Sequence, residues 1–181
     1  MSSSHRSLLV LGGARSGKSR YAQQLAEQSG LELMLIATAE AHDEEMAARI
    51  ARHRADRDER WSLVEEPINL AAHISGRARE GRLIVVDCLT LWLSNVLLAG
   101  RDCEAMQEGV AGVVEKAQGP LILISNEVGQ GIVPSTPLGR AFRDAQGRLN
   151  QRLARACTDV VLVSAGLPLQ LKPAPSPGIS F

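Results

Sequence analysis

The residues with the clearest chemistry lie in a glycine-rich turn near the start of the chain. Residues 12–19 read Gly-Gly-Ala-Arg-Ser-Gly-Lys-Ser, which fits the pattern G-x-x-x-x-G-K-[ST] of a phosphate-binding loop. Its glycines let backbone N–H groups turn toward a phosphate, and the helix that follows adds the positive end of its dipole. Lys18 is expected to reach the β- and γ-phosphates, and Ser19 to ligate Mg²⁺. The alternative is a glycine-rich turn that binds nothing.

A second element of a nucleotide site ends at Asp87. Four apolar residues, 83–86, precede this acid. The pattern is typical of a buried strand whose terminal carboxylate holds Mg²⁺ directly or through water. Many buried strands end in aspartate, so the pattern indicates a nucleotide site only in combination with the phosphate-binding loop.

His53 lies in a highly charged segment, residues 43–58, that is predicted to be a helix. Its neighbours on that helix are an apolar row that contains Ile50 and a basic row that contains Arg49 and Arg57. One interpretation is a half-buried histidine on a solvated helix. The other is a nucleophile, because nearby arginines lower the pKa of an imidazole by charge repulsion and also hold phosphate oxygens.

A glycine-rich loop at residues 126–134 follows another buried strand, residues 121–125. In open α/β sheets the carboxyl ends of the strands and the loops after them build the ligand site. Asn126 and Glu127 are therefore expected to face the same crevice as Lys18. A plain connection with turn glycines is the alternative.

The elements that must position these residues alternate between apolar strands and amphipathic helices. This order predicts a mostly parallel α/β sheet flanked by helices, with a β-hairpin at the C-terminal end. We expect one domain over residues 8–172, a flexible N-terminus at 1–7 and a flexible proline-rich tail at 173–181. The predicted strands are 8–11, 33–38, 61–65, 83–87, 121–125, 159–163 and 167–171, and the predicted helices run from 19 to about 30, 43–58, 67 to about 79, 89–98, 102–118 and 138–157.

Composition excludes several classes of protein. The 181 residues are 45% hydrophobic, enough for one domain with a sizeable core. Twenty basic residues balance 20 acidic ones, and only 3% are aromatic, so neither nucleic acid nor a membrane surface is expected as a partner. Three cysteines without C-x-x-C spacing are typical of a reducing compartment. With no apolar run of membrane-spanning length, a cytoplasmic protein is expected.

Taken in order, these segments resemble the bifunctional adenosylcobinamide kinase/adenosylcobinamide-phosphate guanylyltransferase family of cobalamin biosynthesis. The resemblance covers residues 8–172 and depends above all on the loop at 126–134 and the segment around His53. The matching segments are 12–19, 36–39, 43–46, 49–50, 53–54, 87–92 with Asn95, 125–134, 142–144 and 150–151.

The resemblance implies two reactions. ATP or GTP first phosphorylates the aminopropanol hydroxyl of adenosylcobinamide. GTP then guanylylates His53, pyrophosphate leaves, and the GMP passes to adenosylcobinamide phosphate to give adenosylcobinamide-GDP. It also implies a RecA-like phosphate-loop core and a homotrimer.

The same resemblance implies the residues of the site. His53 and Lys18 are the expected catalytic residues, and Ser19 and Asp87 are the expected ligands of Mg²⁺. One role for Glu65 is to read guanine through its N1–H and exocyclic amine. The expected nucleotide-binding residues are Gly12, Gly13, Ala14, Arg15, Ser16, Gly17, Lys18, Ser19, Ala37, Thr38, Ala39, Arg54, Arg57, Glu65 and Asp87.

Two other functions share the phosphate-binding loop. A monofunctional small-molecule kinase uses this loop without a covalent step, and it differs from the bifunctional enzyme in needing no His53. A guanine-nucleotide switch usually reads guanine with N-K-x-D after a strand. Residues 125–128 read Ser-Asn-Glu-Val at that place, which argues against a switch.

Overall fold

The computed structural model describes residues 6–40 and 58–173. Within these ranges seven strands form one sheet in the order β3-β2-β4-β5-β1-β6-β7. The strands are β1 Ser7–Gly12, β2 Glu32–Ala37, β3 Trp61–Glu65, β4 Arg82–Asp87, β5 Leu121–Asn126, β6 Asp159–Ser164 and β7 Leu167–Lys172. The helices are α1 Lys18–Gln28, α2 Leu70–Ser75, α3 Leu89–Leu98, α4 Cys103–Lys116 and α5 Pro137–Ala156.

Strands β1 to β6 are parallel to their neighbours, and only β7 runs antiparallel, to β6. The central strands are continuous apolar runs because helices cover both of their faces. The predicted fold class is confirmed: a mostly parallel sheet flanked by helices, with the glycine-rich loop between β1 and α1 and a C-terminal hairpin. The carboxyl ends of six strands therefore meet at one edge, and that edge carries the candidate site.

The two faces of the sheet pack against different helices. Helices α2 to α5 cover one face, where the fully buried Trp92 is the largest core side chain. Helix α1 covers the other face through Ala22 and Ala26, both fully buried against strand residues such as Val10. These small side chains let α1, which begins at the phosphate-binding loop, lie close to the sheet.

The helix predicted from Pro67 to about Arg79 is shorter than expected, and that prediction is wrong at both ends. Oε1 of Glu66 accepts hydrogen bonds from the backbone N–H groups of Ile68, at 2.9 Å, and Asn69, at 2.6 Å. These bonds hold the chain around Pro67 in a turn, so α2 begins only at Leu70. At its other end α2 stops at Ser75, before Gly76.

Other differences from the predicted elements are small. Ser7, which we placed in the flexible N-terminus, is the first residue of β1 and is buried. The predicted helix at 43–58 falls almost entirely outside the described residues. No helix in the part of the chain that the structure describes is long and apolar enough to cross a membrane.

The last strand is tied to the end of α5 by Lys172. Its Nζ donates hydrogen bonds to the backbone carbonyls of Ala154 at 3.0 Å, Arg155 at 3.1 Å and Cys157 at 2.6 Å. The last carbonyls of a helix lack partners within the helix and carry its negative dipole end. The ammonium therefore satisfies three acceptors and anchors β7 to the domain.

Replacing Lys172 with methionine should destabilise the fold. Lys172→Met keeps most of the aliphatic stem but removes the three donors, so the free energy of unfolding is expected to fall by about 2 kcal/mol. Urea unfolding followed by circular dichroism measures this change. The matched control is Lys116→Met, which removes an exposed lysine from the last turn of α4 and should cost less than about 1 kcal/mol. Equal losses in the two variants would contradict the role given to Lys172.

Candidate functional site

The phosphate-binding loop has the strand–loop–helix geometry that its pattern predicts. It leaves β1 at Gly12 and enters α1 at Lys18. Gly17, the residue before α1, has a φ of 97°, a left-handed conformation that favours glycine. A Cβ atom on Gly12 would lie 2.5 Å from Ser16 Oγ and 2.6 Å from the carbonyl oxygen of Val163. Both glycines of the pattern are therefore required by the local backbone.

Two neighbouring segments brace this loop through backbone hydrogen bonds. The N–H of Gly166, in the turn between β6 and β7, donates to the carbonyl of Ser16 at 2.8 Å. The N–H of Glu127, after β5, donates to the carbonyl of Gly12 at 3.1 Å. Within the loop, Lys18 Nζ donates to the carbonyl of Gly13 at 3.0 Å. The loop is thus held from both sides, with its lysine folded over it.

Thr38 joins the ends of β2 and β4 and is completely buried. Its Oγ1 accepts from the N–H of Cys88 at 2.9 Å and donates to the carbonyl of Cys88 at 2.7 Å. Its own N–H donates to the carbonyl of Asp87 at 3.2 Å, and its carbonyl accepts from Asn95 Nδ2 at 2.8 Å. Every polar group of Thr38 has a protein partner. Thr38 therefore positions Asp87, and its predicted direct contact with the nucleotide remains a prediction.

Helix α3 ties the segment after β3 to the same edge. Asn95 Nδ2 also donates to the carbonyl of Pro67 at 3.3 Å, and Trp92 Nε1 donates to the carbonyl of Ile68 at 2.8 Å. The N–H of Glu66 donates to the carbonyl of Ala37 at 2.9 Å. These bonds hold the exposed Glu65 at the carboxyl edge, beside the end of β2.

The residues predicted to contact the nucleotide divide into two groups. The described ones lie at the carboxyl edge of the sheet, at the ends of four strands or in the segments that follow them. Asn126 and Glu127 lie at the same edge, because Asn126 is opposite Gly12 in the register of β1 and β5. The structure thus places Gly12–Ser19, Ala37–Ala39, Glu65 and Asp87 on one edge of the sheet, with three strands between β3 and β1, whereas His53, Arg54 and Arg57 lie outside the described residues.

The predicted ligands of Mg²⁺ are of the right chemical kind. Ser19 offers a hydroxyl in the first turn of α1, and Asp87 offers a carboxylate at the end of β4. Among residues 6–40 and 58–173 no group of three or more His, Cys, Asp or Glu side chains could hold a metal. Mg²⁺ in phosphate sites usually takes one or two protein oxygens and completes its shell with phosphates and water. The donor set therefore fits an ion that arrives with a triphosphate.

The cysteines are poorly suited to carry a nucleotide covalently. All three are free thiols, and Cys88 and Cys157 are buried. Burial raises the pKa of the Cys88 thiol, and it raises the pKa of Cys157 to about 12. Because the thiolate is the nucleophilic form, both side chains remain unreactive at neutral pH.

Comparison with solved structures supports the fold. The chain is similar to a structure described as "Structural study of Project ID PH0250 from Pyrococcus horikoshii OT3", with a TM-score of 0.53 and 11% sequence identity. The likeness covers 91% of this chain and 85% of the other. At this identity it shows a common fold and nothing about activity.

Comparison with known sequences identifies the family. The profile of the family described as "Cobinamide kinase / cobinamide phosphate guanyltransferase" matches residues 8–171. The chain is 47% identical over 169 residues to the bifunctional adenosylcobalamin biosynthesis protein CobP of Pseudomonas aeruginosa, covering 92% of this chain and 98% of that protein. It is 37% identical over 180 residues to the bifunctional adenosylcobalamin biosynthesis protein CobU of Escherichia coli, covering 91% and 99%. The chain therefore belongs to the cobinamide kinase / cobinamide phosphate guanyltransferase family.

Proposed function

We propose that this bifunctional transferase phosphorylates adenosylcobinamide with ATP or GTP and then transfers GMP from GTP, through a guanylyl-His53 intermediate, to adenosylcobinamide phosphate. The products of the second reaction are adenosylcobinamide-GDP and pyrophosphate. The observation that carries the proposal is the braced loop of residues 12–19 at the carboxyl edge of the sheet, in a chain whose family catalyses both a kinase and a guanyltransferase reaction.

The first transfer depends on charge and position. In this proposal Lys18, whose Nζ donates to the Gly13 carbonyl, moves to the β- and γ-phosphates, and the N-terminus of α1 adds its dipole. Ser19 and Asp87 would hold Mg²⁺ bound with the triphosphate, and the ion would further neutralise phosphate charge. Because phosphoryl transfer needs little covalent help, a rigid, positively polarised cradle accounts for much of its rate.

The second transfer needs a nucleophile for the α-phosphorus. A neutral imidazole of His53 forms a P–N bond as the bond to pyrophosphate breaks, and the phosphoramidate then passes GMP to an oxygen of adenosylcobinamide phosphate. Arg54 and Arg57 hold the phosphate oxygens in this proposal. Two observations support it: the family's guanyltransferase reaction, and the buried thiols of Cys88 and Cys157, which are unsuited to the role.

Guanine recognition is assigned to Glu65. Its exposed carboxylate stands at the end of β3, directly beside Ala37 at the end of β2. A carboxylate accepts hydrogen bonds from both the N1–H and the exocyclic amine of guanine, whereas adenine offers no such pair of donors. This chemistry supports GTP as the donor in the second reaction.

We also propose that the protein acts as a homotrimer. Three leucines on one face of the edge strand β7 are exposed: Leu167 by 72%, Leu169 by 59% and Leu171 by 44%. An exposed apolar edge strand is a liability unless a partner covers it, and a neighbouring subunit suits that role. A cytoplasmic location remains a prediction from the sequence.

Labelling with α-³²P-GTP tests the covalent step. The wild-type protein should take up an acid-labile, base-stable label, because a phosphoramidate has these properties, and His53→Asn should abolish it. The control variant is His42→Asn, which changes the histidine just before that segment and should keep the label. A wild-type protein that phosphorylates adenosylcobinamide but takes no label would instead favour the monofunctional kinase.

Measuring both reactions in two variants distinguishes the role of the phosphate-binding loop from that of His53. Lys18→Ala should slow phosphorylation and guanylylation alike, each by about 10²- to 10³-fold, because both reactions place a triphosphate on the same donors. His53→Asn should lose guanylylation and keep phosphorylation within about twofold of wild type. Rates of ADP or GDP formation and of pyrophosphate release measure the two steps. Equal loss of both reactions in His53→Asn would contradict separate roles.

A further inference from the structure

Glu127 is a carboxylate at the centre of the candidate site to which the proposed function gives no role. It follows β5, the strand that lies between β1, which carries the phosphate-binding loop, and β4, which ends at Asp87. Its backbone N–H is bound to the carbonyl of Gly12 at 3.1 Å. The side chain is half-buried, so it remains open to a ligand in the crevice.

A buried polar cluster on β5 and α5 directs the Glu127 side chain. Ser125 and Gln146 are fully buried, and Asn150 is 5% exposed. Ser125 Oγ donates to Asn150 Oδ1 at 2.7 Å, and Gln146 Nε2 donates to Ser125 Oγ at 2.9 Å and to Asn150 Oδ1 at 3.0 Å. These donors determine which end of the Asn150 amide is the oxygen, so its Nδ2 must face the other way.

The nitrogen of that amide holds Glu127. Asn150 Nδ2 donates to Glu127 Oε1 at 3.0 Å and to the carbonyl of Asn126 at 3.0 Å. The partner is neutral, and the structure shows no salt bridge between Glu127 and any residue in the described ranges. Among residues 6–40 and 58–173 the carboxylate is therefore held by a neutral partner, and its remaining lone pairs can accept a proton.

We infer that Glu127 accepts the proton of the adenosylcobinamide hydroxyl during phosphorylation, and that Asn150 is its positioning residue. The inference rests on the proposed function. The hydroxyl oxygen forms a bond to the γ-phosphorus as the bond to the β–γ bridging oxygen breaks. That electron pair leaves with the nucleoside diphosphate, and the hydroxyl proton passes to the Glu127 carboxylate and then to water.

The second transfer, of GMP, needs no group that accepts a proton from the acceptor substrate. There the acceptor is a phosphate oxygen of adenosylcobinamide phosphate, which is already anionic and carries no proton that must be removed. His53 attacks GTP as a neutral imidazole in the proposed mechanism. Glu127 should therefore matter for phosphorylation and be dispensable for guanylylation, which is a contrast that a purely structural residue would not produce.

Glu127→Gln is the direct test. Glutamine keeps the shape and an oxygen that accepts from Asn150, but it cannot take up the proton. The kcat of adenosylcobinamide phosphorylation should fall by about 10²- to 10⁴-fold, while the Kd for GTP and the labelling of the protein by α-³²P-GTP stay within about twofold of wild type. The matched control is Glu80→Gln, an exposed glutamate just before β4 at the opposite edge of the sheet, which should leave both reactions unchanged.

Two further variants test how far the position of the carboxylate matters and whether Asn150 positions it. Glu127→Asp keeps the carboxylate but moves it back by one methylene, so it should lose less activity than Glu127→Gln. Asn150→Ser should lower kcat for phosphorylation with little change in KM for the nucleotide. Circular dichroism and thermal unfolding establish that each variant is folded.

The outcomes separate the two proposals. Phosphorylation within about threefold of wild type in Glu127→Gln, or in Glu127→Ala where the glutamine variant does not fold, overturns the inference and leaves the proposed function standing. Parallel loss of phosphorylation, labelling and GTP binding in folded Glu127→Gln also overturns it, in favour of a structural role. A wild-type protein that takes GMP label but does not phosphorylate adenosylcobinamide overturns the kinase half of the proposed function, and the inference with it.

Discussion

The close approach of three chain segments at Gly12 is the constraint on which the site depends. Ser16 and the carbonyl of Val163 occupy the space where a side chain would be, and the N–H of Glu127 meets the carbonyl of the same residue. Residues far apart in sequence are thereby brought to one point at the end of β1. The loop needs no separate scaffold, because the neighbouring strands of the parallel sheet hold it directly.

Buried amides and hydroxyls, more than charges, determine the geometry of the edge around Gly12. Thr38 and Asn95 join the ends of β2 and β4 and the segment after β3, and Asn150 directs the end of β5. Each of these side chains is nearly or fully buried, where an unpaired polar group is costly. Alternative arrangements would leave such groups without partners, so the same bonds that satisfy them also specify one arrangement of the edge.

The sequence was sufficient for the parts of the fold that depend on local pattern. Apolar runs predicted the strands, and the pattern at residues 12–19 predicted the loop between β1 and α1. The predicted start of α2 is wrong because the Glu66 carboxylate accepts hydrogen bonds from the N–H groups of Ile68 and Asn69. The spacing of apolar residues carries no information about such a side-chain hydrogen bond. The role of Thr38 was not predictable either, since its partners Cys88 and Asn95 lie 50 and 57 residues away.

The β6–β7 turn has a consequence for the order in which the protein is made. The phosphate-binding loop, residues 12–19, is translated long before one of its two braces, the N–H of Gly166. β1 also needs β5 and β6 as neighbours, and both come late. A nascent chain on the ribosome therefore carries the loop long before it can complete the cradle. The complete cradle for a triphosphate can form only after Gly166 has been synthesised.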